Sequence, residues 1–210
     1  MSTEVSLPDE DLPMENGPVI LDGESTWLEK TLFSFLSHRD EDDSSGTLQE
    51  MIESAAKRAF KVSTALGLIP GPVGLMAILP EVVAVTKIQI NLIHRIARYH
   101  EKSEKVSPEM VLLILGNVFG VAAGAVLTRK AGTTLVIRSV NSRLMRRVAR
   151  RIGNRMVDAI AEKAIGRWIP IATAPVFGYL SKSLTRRVGN EANRMLTLDF
   201  EIDRAEAPSS

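Results

Sequence analysis

Two neighbouring segments of opposite character limit what this chain can fold into. Residues 110–128 contain no charged side chain, whereas residues 129–155 hold nine Lys or Arg and no acid. The apolar segment also carries a glycine at every fourth position. On one continuous helix, this spacing places Gly116, Gly120 and Gly124 on the same face, where small residues let a second backbone approach closely. We therefore predict close helix packing at these three glycines.

The length of the apolar segment leaves its environment open. A helix over residues 111–128 would be about 27 Å long, close to the thickness of the hydrocarbon core of a bilayer. A second charge-free segment, residues 62–80, contains prolines that would break a continuous helix. The mean hydropathy of +0.05 is far below that of a polytopic membrane protein. Both segments are expected either to enter a membrane as a shallow hairpin or to lie buried inside a helical bundle.

The basic stretch predicts a two-faced helix over residues 138–163. With 100° per residue, its arginines share one broad face and its apolar side chains the other. A basic amphipathic helix suits the anionic surface of a membrane. The alternative is a solvated face of a packed helix in a bundle, neutralised by an acidic N-terminal tail. Nucleic acid is not expected, because no aromatic side chains interleave with the arginines to stack on bases. The predicted lipid- or anion-binding residues are Arg143, Arg146, Arg147, Arg150 and Arg151.

The charge of the chain is divided unevenly along its length. The net charge is +1, but residues 1–50 carry 13 acids and 2 bases, and residues 51–210 carry 12 acids and 24 bases. We expect residues 1–46 to form a disordered acidic tail, interrupted by a short amphipathic helix at residues 26–37. This helix could dock on a protein partner or fold back onto the body. Its predicted docking side chains are Trp27, Leu28, Leu32 and Phe35.

The remainder of the chain follows a helical pattern from residue 47 to about 200. A capping box formed by Thr47 and Glu50 predicts one helix start, and Ser107 followed by a proline predicts another. Strand signals are weak, and the β-branched residues 133–140 indicate an irregular or extended join. The predicted fold class is an all-α helical bundle with Gly/Pro-broken apolar hairpins, followed by a tail at residues 201–210. The predicted helices cover residues 48–66, 80–100, 107–128, 138–163 and 176–196.

Residues 69–100, IPGPVGLMAILPEVVAVTKIQINLIHRIARYH, resemble the bacterial EcsC-like family and the related helical domain found with membrane-associated GTPases. The shared features are a Pro/Gly-rich turn, an Ile-Gln pair at residues 88–89, and a basic end with IARY at residues 96–99. Residues 166–196 resemble the family's closing segment, in which a Pro-containing turn leads into a helix with a late glycine and alanine. This chain departs from the pattern at His100, where the family often has glycine.

The resemblance covers about residues 47–200, and it implies membrane association and a link to transport or secretion. It brings no active site with it. The residues themselves also point away from catalysis, since no phosphate-binding loop, dinucleotide fingerprint or nucleophile elbow occurs. No cysteine is present, and His94 and His100 do not share a helical face, so no metal and no cofactor are expected. An inward-facing cluster of Glu81, Lys87 and Asn91 would instead point to an enzyme.

Together these patterns predict a non-enzymatic accessory or adaptor protein at the cytoplasmic face of a bacterial cell membrane, peripheral or shallowly inserted. The expected partners are anionic lipids at the arginines, a protein at the Trp27 helix, and a second copy of the chain as a homo-oligomer. The acidic N-terminus is unlike a signal peptide, and the lack of cysteine fits a reducing cytosol. The alternative is a soluble helical module that binds a protein partner or holds a lipid in its apolar interior.

Overall fold

Helices dominate the protein, as the sequence predicts. The computed structural model describes residues 46–68, 78–131, 134–164, 170–198 and 200–203. A 3₁₀ turn at Ser103–Lys105 joins the second helix to the third. The elements are α1 (Leu48–Gly67), α2 (Ile78–Tyr99), α3 (Pro108–Val118), α4 (Gly124–Leu127), β1 (Thr128–Ala131), β2 (Thr134–Arg138), α5 (Ser142–Ala164), α6 (Pro170–Thr197) and β3 (Phe200–Asp203). The predicted all-α helical bundle is confirmed, with one small sheet added to it.

Local capping explains why two of these helices begin where they do. At the start of α1, the Glu50 amide donates to Thr47 Oγ1 at 3.3 Å, and the Thr47 amide donates to Glu50 Oε2 at 2.8 Å. This is the predicted capping box, which satisfies two backbone donors that a helix end leaves open. At the start of α3, the Met110 amide donates to Ser107 Oγ at 3.3 Å, and Pro108 occupies the first helical position.

Helix α3 packs inside the bundle, where it contacts both α5 and α6. Its residues 110–115 are at most 2% exposed, because the helix is apolar on every side and must be surrounded by other elements. This part of the apolar segment therefore lies in the protein core. None of the helices within the described ranges has the length and apolar character that crossing a membrane requires.

The most extensive contact between described elements joins α1 to α6, and two glycines of α6 make it close. A Cβ atom on Gly189 would lie 2.7 Å from Cγ1 of Ile52 and 3.1 Å from Cδ2 of Leu92. A Cβ atom on Gly178 would overlap Thr64 and lie 2.9 Å from the Phe60 ring. Any larger residue at these positions would force the helices apart. The close helix packing of this protein thus occurs along α6.

Buried polar pairs fix the positions of the helices relative to one another. Ser63 of α1 donates to Ser181 Oγ of α6 at 2.6 Å, and both side chains are at most 2% exposed. Gln89 of α2 donates to Thr185 Oγ1 of α6 at 3.4 Å. Gln89 belongs to the Ile-Gln pair on which the family resemblance rests. Because a buried polar group is costly without a partner, each of these pairs favours one register of the helices.

An irregular or extended join is predicted at residues 133–140, and the structure has the extended form at residues 134–138, as the middle strand of a three-stranded sheet. Its order is β1-β2-β3, with β1 antiparallel to β2 and β3 parallel to β2. Ile137 and Phe200 point into the core, at 0% and 3% exposure. The predicted tail from residue 201 is also corrected, since residues 201–203 belong to β3. Strands this short give little sequence period, and the parallel pairing joins residues far apart in the chain.

The ends of two long helices also differ from prediction. The basic helix, α5, begins at Ser142 instead of residue 138, because residues 134–138 form β2. Asn141 caps it by accepting a hydrogen bond from the Leu144 amide at 2.9 Å. The last helix, α6, begins at Pro170 and contains Pro175 in its second turn. A proline this near a helix start removes few intrahelical bonds, so α6 begins earlier than the predicted residue 176.

Candidate anion-binding surface on α5

Helix α5 separates its two kinds of side chain onto opposite sides. The apolar side packs into the core, where Met145, Val148, Ala149, Ile152 and Met156 are at most 6% exposed. The arginine face, defined as Arg143, Arg146, Arg147, Arg150 and Arg151, lies on the outer side. Four of these arginines are exposed, and Arg151 is half-buried. The fold therefore presents a continuous cationic surface that extends over more than two helical turns.

The arrangement of the arginine face is unfavourable for helix stability. Arg143 and Arg147, Arg146 and Arg150, and Arg147 and Arg151 are like-charge pairs four residues apart. Each such pair destabilises a helix by about 0.2–0.5 kcal/mol. No acid occurs between residues 142 and 157 to offset them. The first arginines also lie at the helix N-terminus, where the positive end of the helix dipole disfavours cations. These arginines therefore lie where both their neighbours along the helix and the helix dipole disfavour positive charge.

The burial of the apolar side limits how α5 can meet a membrane. A basic amphipathic helix that inserts into lipid does so with its apolar face. Here that face forms part of the protein core, so α5 has only its charged side to offer. The guanidinium groups present planar sets of N–H donors, which match the oxygen atoms of phosphate groups. The surface is suited to electrostatic contact with an anionic partner from outside, without insertion.

The predicted glycine face at residues 116–124 is wrong. Helix α3 ends at Val118, and Gly120 adopts a left-handed conformation with φ +70° in the following turn. The Val121 amide donates to the Gly116 carbonyl at 2.8 Å, a bond typical of a helix that ends with a left-handed glycine. Gly124 begins the separate helix α4. The three glycines therefore do not share a helix. Gly116 lies near the end of α3, Gly120 in the turn that follows, and Gly124 at the start of α4.

Each of these glycines has a different local role. A Cβ atom on Gly116 would lie 2.7 Å from the Cβ of Ala123, so Gly116 packs closely against the returning segment of its own chain. A Cβ atom on Gly120 would meet open space, and glycine is favoured there for its backbone conformation alone. A Cβ atom on Gly124 would lie 3.8 Å from Leu113 Cδ1, an ordinary contact. Of the three glycines predicted to allow close packing, only Gly116 does so.

The other predicted sites divide between described and undescribed parts of the chain. The docking side chains Trp27, Leu28, Leu32 and Phe35 lie outside the described residues, as does the rest of the acidic segment up to residue 45. Within the described ranges, no group of three or more His, Asp or Glu side chains is placed to hold a metal ion. His100 contacts α6, with its Nε2 2.8 Å from Asn193 Oδ1.

Glu81, Lys87 and Asn91 do not form one cluster. Lys87 and Asn91 line a pocket between α1 and α2, together with Arg58 and Arg95. Glu81 is fully buried in the first turn of α2 and is not part of the pocket lining. Arg95 is not among the site residues predicted from the sequence. The available signal was its position three residues after Leu92, on the apolar side of α2, where an unpaired charge is unexpected.

Comparisons of this chain with protein-family models, with curated proteins and with solved structures find no match. The similarity of residues 69–100 and 166–196 to the EcsC-like family therefore stays a prediction. The described parts of these two segments include helices α2 and α6, which pack against each other. The two segments that carry the resemblance thus belong to one structural unit.

Proposed function

We propose that this protein is a non-enzymatic accessory protein that binds the anionic cytoplasmic surface of a bacterial cell membrane through the arginine face. The main support is the stability cost of that face: three like-charge pairs at helix spacing, with no acid between residues 142 and 157. An anionic surface would relieve the repulsion on contact. The resemblance to the EcsC-like family supports the same function independently, because it implies membrane association and rests on other residues.

The proposed mode of binding is peripheral. Each arginine near an anionic membrane contributes about 1 kcal/mol, and the attraction decays within a Debye length. Because the apolar side of α5 is buried in the core, no insertion adds to this attraction. Binding should therefore depend steeply on the fraction of anionic lipid and on salt, and salt should release the protein from the membrane.

Vesicle sedimentation tests the proposal with two matched variants. The first replaces Arg143, Arg147 and Arg150 with Gln and should bind phosphatidylglycerol-containing vesicles about a hundredfold more weakly at low salt. The control replaces Lys57, Lys61 and Arg187 with Gln, which removes the same charge from exposed positions on α1 and α6. An equal loss in both variants would reveal a general effect of net charge. No loss in the first variant would refute the proposed function.

The alternative function, a soluble helical module that binds a protein partner, has one supporting observation. Val176 and Tyr179 lie three residues apart on α6 and are 48% and 67% exposed, and Leu68 at the end of α1 is 53% exposed. Exposed apolar side chains of this size are typical of interaction surfaces when they adjoin one another. A lack of binding of the wild-type protein to anionic vesicles at low salt would favour this alternative.

A further inference from the structure

A pocket of about 280 Å³ lies between α1 and α2, away from the arginine face. None of its lining residues belongs to α5. Its polar lining consists of three cationic side chains, Arg58, Lys87 and Arg95, with the amide of Asn91, and no acid lines it among the described residues. The rest of the wall is aliphatic, formed by Ala55, Ala84, Ile88 and Leu92. The pocket thus combines a concentration of positive charge with an apolar surface.

Arg95 is the residue that makes this pocket unusual. The side chain lines the pocket, yet the residue is only 9% exposed. Its Nε atom is shielded from solvent and has no hydrogen-bond partner within the described part of the chain. Glu81, the buried carboxylate on the same helix, lies about 21 Å away along the helix axis, too far to pair with it. A buried guanidinium is costly unless an anion and hydrogen-bond acceptors accompany it.

We propose that this pocket binds a small organic anion, a carboxylate or a phosphate ester, whose charged group contacts Arg95. The guanidinium supplies donors in a planar arrangement that matches two oxygens of either group. Lys87 and Arg58 add charge around the same group, and Asn91 adds an amide donor. The carbon part of the ligand packs against Ile88 and Leu92.

The size of the pocket restricts the ligand further. Ligand pockets usually enclose about 300–1,000 Å³. This pocket, at about 280 Å³, lies just below that range and suits only a small molecule. A small metabolite fits this description, whereas a long acyl chain does not. The inference does not rest on the proposed membrane function, since the two sites share no residue.

The proposal is tested by measuring the melting temperature with two probe anions, inorganic phosphate and hexanoate. Chloride at the same ionic strength is the reference. A ligand that binds only the folded state raises the melting temperature in a saturable manner. We expect at least one probe to do so with wild-type protein. The variant Arg95→Met, which keeps an aliphatic side chain of similar length, should bind at least about tenfold more weakly. Its ligand-free melting temperature should equal or exceed that of the wild type, because an unpartnered buried charge is removed.

Two further variants make the result specific. Lys87→Gln removes a pocket cation at a half-buried position and should weaken binding several-fold, which keeps the test valid if Arg95→Met folds poorly. Lys61→Gln removes an exposed cation of α1 that does not line the pocket, and its binding should equal that of the wild type. Equal weakening in Lys61→Gln and Lys87→Gln would overturn the proposal, because it would show unspecific screening.

Other outcomes would also overturn it. If neither anion stabilises the wild type up to millimolar concentration, the pocket does not bind small organic anions. Undiminished binding in Arg95→Met would place the anion elsewhere. A third experiment separates the source of the anion: phosphatidylglycerol vesicles are offered to the wild type and to Arg95→Met. Loss of vesicle binding in this variant, without binding of either soluble probe to the wild type, would assign the pocket to a lipid headgroup and refute a free small molecule.

Discussion

Helices α5 and α6 are both long and rich in arginine, but their arginines have different surroundings. On α6, Arg186 forms two bonds to Glu53 of α1, at 2.6 and 2.8 Å, and Arg194 forms two to Glu191, at 2.6 and 2.9 Å. On α5, the arginine face has no acid three or four residues away along the chain. The two helices therefore differ in the acids that lie near their arginines along the chain, and not in the number of arginines.

The glycines of the molecule show the same division. Gly178 and Gly189 on α6 lie where another helix crosses, and a Cβ atom there would collide with side chains of that helix. Gly120, in the regularly spaced set, faces open space and serves a turn. We therefore expect substitutions at the helix crossings of α6 to lower stability more than substitutions on the outer side of α5. Substitutions on the two helices should accordingly change different measurements.

The largest effect on stability is expected at Gly189. The change Gly189→Ala places a methyl group 2.7 Å from Ile52, and such overpacking costs about 1–3 kcal/mol. For a protein of this size, each kcal/mol lowers the melting temperature by about 2–4 °C. Vesicle binding by the folded variant should remain at the wild-type level. The comparison variant Gly120→Ala should lose only about 1 kcal/mol, from its left-handed backbone. A greater loss at Gly120 would contradict the assignment of packing to α6.

Deleting residues 1–46 should have the next largest effect. We expect it to change the binding of the protein to vesicles and not the stability of the fold. These residues hold 12 acids and 2 bases, and a tether keeps them at high effective concentration near the arginine face. We predict that they compete with lipid, so the deletion should strengthen binding to anionic vesicles about tenfold at low salt. The gain should shrink as salt shortens the Debye length.

A shorter deletion separates the two parts of this segment. Removing residues 1–24 takes away acids but keeps the predicted Trp27 helix, whose apolar side chains could themselves contact lipid. Stronger binding after both deletions supports competition by charge. If both leave vesicle binding unchanged or weaker, the acidic segment does not compete, and a role in binding a protein partner is favoured.

The pH dependence of stability should report the ion pairs of α6. The hydrogen bond from Arg186 lowers the pKa of Glu53, and the hydrogen bond from Arg194 lowers the pKa of Glu191. Because the pKa is lowered in the folded state, each carboxylate stabilises the fold at a pH above the unfolded-state pKa, near 4.5. This stabilisation is lost as the pH falls through the lowered pKa of the folded state. Glu53→Gln should therefore melt below the wild type at pH 7, and the difference should shrink below pH 4.5.

A control for this titration is Glu104→Gln, an exposed position in the 3₁₀ turn. Its melting temperature should follow that of the wild type across the same pH range. If the difference between Glu53→Gln and the wild type stays constant from pH 7 to pH 3, the contact with Arg186 does not contribute through the charge of Glu53.

The sequence predicts the locally determined parts of this fold and fails where distant segments meet. The capping box at Thr47 and the two sides of α5 depend on residues within a turn or two, and both are found as predicted. The stop at Gly120 was missed because a spacing of four suits a continuous helix as well as a helix end. The glycines of α6 and the pocket at Arg95 depend on which helices cross, and short-range patterns do not carry that information.

The smallest expected effect is also the most direct test of the difference between the two helices. Arg147 has a like charge four residues away on both sides, Arg143 and Arg151, so Arg147→Gln should stabilise the fold by about 0.5 kcal/mol at low salt. Arg194→Gln on α6 removes a hydrogen-bonded partner of Glu191 and should lower stability under the same conditions. In 1 M salt, where the Debye length is about 3 Å, the gain from Arg147→Gln should disappear. Opposite signs in chemical denaturation at low salt are the expected result. A loss of stability in both variants would mean that Arg147 stabilises the fold as Arg194 does, and would contradict the difference drawn between α5 and α6.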